Sequence, residues 1–203
     1  MRQRLKNIFW SNRSFKGKIF SSLFLLFFFY QIWILLHIIL WTVLNPSESA
    51  FMETRLEHLQ ENDDKATLRH QWVNYNQISI NIKQAVIAAE DAKFIDHEGF
   101  DWEGIEKAYE KNKRRKKIVA GGSTISQQLA KNLFLSNQRT PWRKAEETII
   151  TLMLETILSK QRILEIYLNV IEWGNNVYGI ESASLHYFST HAKDVNSFQS
   201  AKL

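Results

Sequence analysis

Four stretches of this 203-residue chain carry groups whose types and spacing could do chemistry. In "EDAKFIDHEGFDWEG", Glu90 and Asp91 close an apolar run, and His97 and Asp101 follow in a loop. A carboxylate at a helix C-terminus faces the negative end of the macrodipole, where it gains nothing for stability and proton uptake is favoured. That is the behaviour required of a general base. An exposed helix end with solvated charges would give the same letters. In "GGSTISQQLAKN", Gly121 to Asn132, two glycines, Ser123, Thr124 and Lys131 suggest a phosphate cradle. A P-loop, however, needs its lysine at the mouth of the helix, in G-x-x-x-x-G-K-[ST]. Lys131 lies seven residues beyond Thr124, about 10 Å along a helix axis. One compact phosphate cannot touch both.

A longer anion, a diphosphate attached to a larger group, could be spanned by the free N–H groups of the helix start and a polar ridge of Gln127, Gln128 and Lys131. A capped amphipathic helix with a wet polar face explains the letters equally well. In "NQRTPWRKAEETIITLMLE", Arg139, Arg143 and Lys144 precede Glu146 and Glu147, with Glu155 two turns further on. Arg143 and Glu147 read as a simple surface pair at i, i+4. "KNKRRKK", Lys111 to Lys117, has six cations in seven residues. It reads as a solvated loop, or as a segment lying against anionic lipid head groups.

The elements that must position these groups are helical almost throughout. Asn81 with Gln84 reads as a cap for a helix whose stripe is Ile82, Ala85, Val86 and Ala89, ending at Glu90. Asp101 caps a second, with Ile105, Ala108 and Tyr109 inward. Thr124 with Gln127 forms a capping box opening a third, whose Ile125, Leu129 and Leu133 share one face. Thr140-Pro141 starts a long helix through Leu158, and Ser159 begins another that Gly174 stops. No run alternates as a strand and no repeat is evident, so the fold class expected is mainly α. Residues 45–78 read as a polar, partly helical connector, and 79–203 as the catalytic domain.

Ahead of that domain, residues 19–44 carry no Asp, Glu, Lys or Arg over 26 positions. As a helix that is about 39 Å, enough to cross a hydrocarbon core of about 30 Å. The apolar run is too long for a signal peptide and has no small-residue cleavage site, so it reads as an uncleaved anchor. Gln31 and His37 within it read as helix-contact residues. Arg2, Arg4, Lys6, Arg13, Lys16 and Lys18 precede the span with no acidic residue, so residues 1–18 read as a cytoplasmic segment and the domain as outside. Without those six cations the rest of the chain has 20 Lys and Arg against 21 Asp and Glu. The net charge of +5 is thus mostly a topology signal, and a nucleic-acid partner is not expected. With no cysteine there is neither a disulfide frame nor a thiolate metal site.

Taken together, "EDAKFIDHEGFDWEG", "GGSTISQQLAKNLFL", "RKAEETIITLMLE", "KQRILEIYLNVIEWGNNVYGIESAS" and the later "YF" resemble, in that order, the motifs of glycosyltransferase family 51. These are the peptidoglycan polymerases that build glycan strands from lipid II. The resemblance covers about Pro46 to Phe188. It implies a lysozyme-like helical fold on a single N-terminal membrane helix, at the bacterial inner membrane with the catalytic domain on the periplasmic face. It implies β-1,4 polymerisation of lipid II with release of undecaprenyl diphosphate and no nucleotide, while leaving room for a divalent cation such as Mg2+ or Mn2+. Lipid II, the growing strand, membrane lipid and other cell-wall synthesis or division proteins are the partners expected.

Carried over by motif, Glu90 is the general base that deprotonates the acceptor 4-hydroxyl, and Glu147 a second carboxylate assisting donor or diphosphate positioning. Ser123, Gln127, Lys131, Arg139 and Arg143 match positions around the donor's sugar and diphosphate, and Thr124 joins them as the hydroxyl at the helix start. Asp91, Phe94 and His97 shape the first motif. The family continues past "YF" into a further helix and tail, whereas this chain ends in "NSFQSAKL". Two other readings are weighed against this one: a lytic transglycosylase or muramidase, which also uses a glutamate in a helical domain, and an anchored cell-wall scaffold without activity.

Overall fold

The computed structural model describes residues 15–203; Arg2, Arg4, Lys6 and Arg13 of the basic segment lie outside the described residues. Helix α1 spans Phe15–Leu40. It begins four residues before the apolar run, since Lys16 and Lys18 continue the helix, and it ends four residues short of Leu44. There Thr42 N and Val43 N bond back to Ile39 O and Leu40 O, a tightened last turn, and Pro46 lies just beyond. Arg162 from the domain satisfies the orphaned end of α1. Its Nε donates to Trp41 O at 2.8 Å and its Nη2 to Leu44 O and Asn45 Oδ1.

The two halves of α1 have different surroundings. In the C-terminal half Ile34 and Ile38 are fully buried, and the Trp33 and Trp41 rings lie 6.2 and 5.2 Å from Phe134. Gln31 is half-buried beside Glu146, as a helix-contact residue should be, and the His37 ring N–H donates to Trp33 O at 2.8 Å. In the other half Phe20, Leu23, Phe24, Leu26 and Phe29 are each at least 60% exposed. So large an apolar surface is costly in water. The helix is long and apolar enough to cross a membrane.

The domain is a set of helices around one core. Helix α2 (Ala50–Gln60) is capped by Ser49; α3 spans Ile80–Glu90, α4 Trp102–Arg115, α5 Ile125–Phe134, α6 Pro141–Ile157, α7 Lys160–Val170, α8 Ile180–Phe188 and α9 Ser197–Ser200. Ile125 and Leu129 of α5 meet Ile150 and Leu154 of α6 and Ile163, Leu164 and Leu168 of α7 in that core. Every residue from Ile163 to Val170 is buried, which makes α7 the central post. Three very short strands, which the sequence did not signal, form one sheet in the order β1 (Arg69–His70), β3 (Val177–Tyr178), β2 (Glu172–Gly174). β1 and β3 run parallel, β3 and β2 antiparallel. At two or three residues each, they have too few side chains to show alternation. The hairpin leads into α8 through Gly179, whose φ of +78° and approach to Asn169 O, 2.8 Å from where a Cβ would stand, exclude other residues.

Helix starts follow their caps more closely than helix ends. Thr124 and Gln127 form the reciprocal capping box, Asp101 Oδ1 accepts from Gly104 N at 3.0 Å, and Thr140 and Ser159 cap α6 and α7. The cap of α3 is Ser79, two residues before Asn81. Ser79 also donates its hydroxyl to Val195 O at 2.8 Å, a tertiary tie invisible to local pattern. Helix α7 ends at Val170, not at Gly174, because the next residues enter the sheet. Tyr109 points outward, 66% exposed. The run Lys111 to Lys117 is mostly the last turn of α4, where cations complement the macrodipole. Asn112 ties the segment that follows, accepting from Val119 N and Ala120 N at 2.7 and 2.9 Å.

Candidate active site

The first motif is fixed by a buried carboxylate. Asp91, 6% exposed, accepts from Ile125 N at 3.0 Å and from His97 Nε2–H at 2.9 Å. His97 Nδ1 in turn accepts from Gly99 N at 3.1 Å, which sets the ring's tautomer. Thr124 donates its hydroxyl to Gly99 O at 2.7 Å. Asp91 therefore caps α5 from outside that helix, and the loop from α3 is riveted to its start. Replacing Asp91 by alanine strands the Ile125 N–H and the His97 N–H in the interior. The expected cost is about 2–4 kcal/mol, read as a lowered denaturant midpoint of the purified protein in detergent. A loss below about 1 kcal/mol would remove this role.

With its neighbour turned inward, Glu90 is left on the surface at the end of α3, beside a groove of about 590 Å³ that Gln128, Lys131, Asn132 and Tyr167 also line. Gln128 Nε2 donates to Glu90 Oε2 at 2.8 Å, and Tyr167 donates its hydroxyl to Gln128 Oε1 at 3.1 Å. Burial, and then the charges of Glu90 and Asp91, push the Tyr167 hydroxyl well above its usual range, so it remains a donor. It thereby holds the Gln128 amide with its NH2 toward Glu90.

Lys131 is the second feature of the groove. Burial lowers its pKa, Arg143, Arg139 and Lys144 lower it further, and only Glu147 opposes them. Glu147 is already committed. It is 2% exposed and accepts from Arg143 and from Lys144, both from one turn earlier on α6. Three cations thus act on Lys131 against one carboxylate, and among the described residues neither Lys131 nor Arg139 has an ion pair. An anion of about two charges is what such a cluster lacks.

The expected site residues divide accordingly. Glu90 and Lys131 line one groove, with Arg139, Arg143 and Lys144 close enough to act on Lys131. Ser123 and Thr124 border a separate hollow of about 190 Å³ that reaches Glu90 from its other side. Thr124 and Gln127 are buried at 2% and 3%, and their bonds close the capping box. They hold the helix start and do not line the groove. The pair Arg143–Glu147 is not a surface pair: its carboxylate is interior, because α6 packs that face on α5. Glu155 is likewise interior, accepting from Ser126 and from Lys160.

Asn132 and Tyr167 are site residues the sequence did not point to, while Gln128 and Lys144 stand in its polar ridge and cation cluster without a matched role in the site. The signal for Gln128 was present: a capping box consumes the glutamine at its third helical position, so the next glutamine is the one free for contacts. Tyr167 carries no such signal, since it is one of a run of buried residues on α7.

A family model described as transglycosylase matches residues 56–203. The biosynthetic peptidoglycan transglycosylase of Methylobacillus flagellatus is 59% identical over 199 residues, 98% of this chain and 84% of the relative. That of Chromobacterium violaceum is 61% identical over 186 residues, 92% of this chain and 82% of the relative. That of Nitrosospira multiformis is 58% identical over 186 residues, with 92% and 81% covered.

Proposed function

The chain belongs to the transglycosylase family, and from that premise and the groove we propose that it is a peptidoglycan glycosyltransferase of cell wall synthesis, a transferase. Its substrates are lipid II and the growing glycan strand. The observation that carries the finer reading is the excess of cations: Arg139, Arg143 and Lys144 all act on Lys131, and Glu147, which opposes them, is already paired with Arg143 and Lys144, beside the groove that Glu90 lines.

In this reading the donor lies along the cationic side, its diphosphate neutralising the cluster. Glu90 stands where the two hollows meet. It takes the proton from the acceptor 4-hydroxyl as that oxygen attacks the donor's anomeric carbon from the face opposite the diphosphate. The C–O bond to the diphosphate breaks, the charge it carries away is held by the cations, and the new link is β-1,4. Gln128 orients the base; Glu147 holds Arg143 and Lys144 in place. The leaving group arrives with the donor, so no nucleotide is required. Among the described residues no three His, Asp or Glu side chains gather as a metal site, and a divalent ion would be held by the substrate's diphosphate.

Helix α1 serves in this reading as the anchor, with the basic N-terminus in the cytoplasm and the domain on the periplasmic face of the inner membrane, where membrane-borne lipid II meets the groove. A lytic enzyme cleaves a bond without a diphosphate and has no use for the cations. The test is polymerisation by the purified full chain. Consumption of lipid II into strands, without nucleotide and with or without Mg2+, is expected. Shortening of finished glycan with no lipid II consumed would establish the lytic activity instead, and neither reaction would leave a scaffold.

A further inference from the structure

A second hollow opens off the catalytic groove. It has about 270 Å³ and shares Phe51, Asn137 and Glu172 with the groove, so it is a side branch of the same cleft. Its walls are Thr54, Arg55 and His58 of α2, Ser136 from the segment after α5, and Tyr178 of β3. None of these residues takes part in the chemistry described above.

Three features mark the branch as built to receive something polar. Tyr178 is only 1% exposed, yet it lines the hollow, and among the described residues its hydroxyl has no hydrogen-bond partner. The oxygen is not among the buried polar atoms that lack a partner, so the ring is enclosed while the hydroxyl opens onto the hollow, where an occupant can meet it. Burial, and then the nearby charge of Glu172, raise this hydroxyl to about 12, so at neutral pH it is a neutral donor. Arg55 donates to Asn176 Oδ1 at 2.7 Å and to Asn175 Oδ1, which fixes the guanidinium in place, but it has no carboxylate partner among the described residues. Among the described residues Glu172 accepts only from Asn176 N, at 3.3 Å. A cation and a carboxylate thus face one hollow without pairing with each other. An occupant with groups of both signs and several polar atoms completes this set; an acyl chain or a bare sugar does not.

We propose that this branch is a subsite for the peptide carried on the lactyl arm of the substrate's muramoyl sugar, with Tyr178 and Arg55 receiving its carbonyl or carboxylate oxygens and Glu172 an N–H or amine. The branch shares Phe51, Asn137 and Glu172 with the groove that Glu90 lines, so a sugar held in the groove with its anomeric carbon near Glu90 can extend its lactyl arm into the hollow. This assignment rests on the glycosyltransferase reading and extends it, since it makes the enzyme read the peptide as well as the saccharide.

The test compares lipid II bearing its full pentapeptide with lipid II whose lactyl group ends in a simple amide, in the parent enzyme and in Tyr178→Phe, which keeps the ring and removes only the donor. For the full substrate Tyr178→Phe is expected to raise KM about two- to tenfold, the worth of one hydrogen bond, with kcat unchanged. For the peptide-free substrate it is expected to change nothing, and the parent's KM for that substrate should itself be raised. An equal penalty on both substrates would assign Tyr178 to structure and overturn the proposal; so would a parent that uses the two with the same KM. A parent that polymerises neither would defeat the glycosyltransferase reading. The subsite is then judged separately, by titrating soluble N-acetylmuramoyl pentapeptide and following the Tyr178 ring signals by NMR. Their movement in the parent supports it and their constancy overturns it.

Discussion

Glu90→Gln is expected to lower lipid II polymerisation by about 10²- to 10⁴-fold, the usual contribution of a positioned base, while leaving the fold and lipid II binding intact. The glutamine amide keeps the shape of the side chain and can still accept from Gln128 Nε2, so the bond at 2.8 Å and the Tyr167 contact behind it survive. What is lost is the capacity to take a proton. Glu90 is exposed at the end of α3, where a change of charge disturbs little packing, so the denaturant midpoint should move by less than about 0.5 kcal/mol. Full activity in the variant would remove Glu90 from the mechanism. A large fall in stability would leave the activity loss without meaning for catalysis. The same measurement on Asp91→Asn separates the two adjacent carboxylates, since the buried one is expected to act through stability.

Lys131→Ala is expected to cost about 10²- to 10³-fold in kcat, the range for removing one group that stabilises developing charge in a shielded site. The imbalance of charge at the cluster is the reason. Lys131 already carries its charge at a cost, through burial and three neighbouring cations, and a diphosphate leaving group relieves that cost most as its charge grows. In the free protein the change should be neutral or mildly stabilising, because one repelled cation is removed. Loss of activity with gain of stability is the combination that marks a charge kept for a ligand. Lys131→Arg should keep part of the rate. A variant within threefold of the parent in kcat would move the leaving-group role elsewhere in the cluster, with Arg143 the next to examine.

The chain of positions from Asp101 to Ser159 was legible because caps are local. Asp101, Thr124, Thr140 and Ser159 each accept from the amide three residues ahead, and that information lies within one turn. The helix stripes Ile125–Leu129–Leu133 and Ile82–Val86 are equally local, and all five residues are buried. Ser79, Tyr109 and the run after Lys111 were read less well, for a common reason. Ser79 is chosen as a cap with help from Val195, 116 residues away; Tyr109 is left outside because among the described residues no element covers that face of α4; and the six cations of "KNKRRKK" read as a loop although most of them complete a helix.

The site divides along the same line. That Glu90 ends an apolar helix, that Lys131 lies too far from Thr124 for a compact phosphate, and that cations gather ahead of Glu147 are facts of spacing, and they admit an extended anionic substrate as readily as a capped helix with a wet polar face. Spacing says nothing about which of two adjacent like residues faces the groove. Asp91 is drawn in by Ile125 N–H and His97, which leaves Glu90 out; Gln127 is consumed by the capping box, which leaves Gln128 to reach Glu90; and Glu147, read as an outer pair with Arg143, is buried because α6 packs that face on α5. In each case the partner comes from another element. A choice between neighbours is made by burial and hydrogen bonding across the fold, and only the tertiary structure contains it.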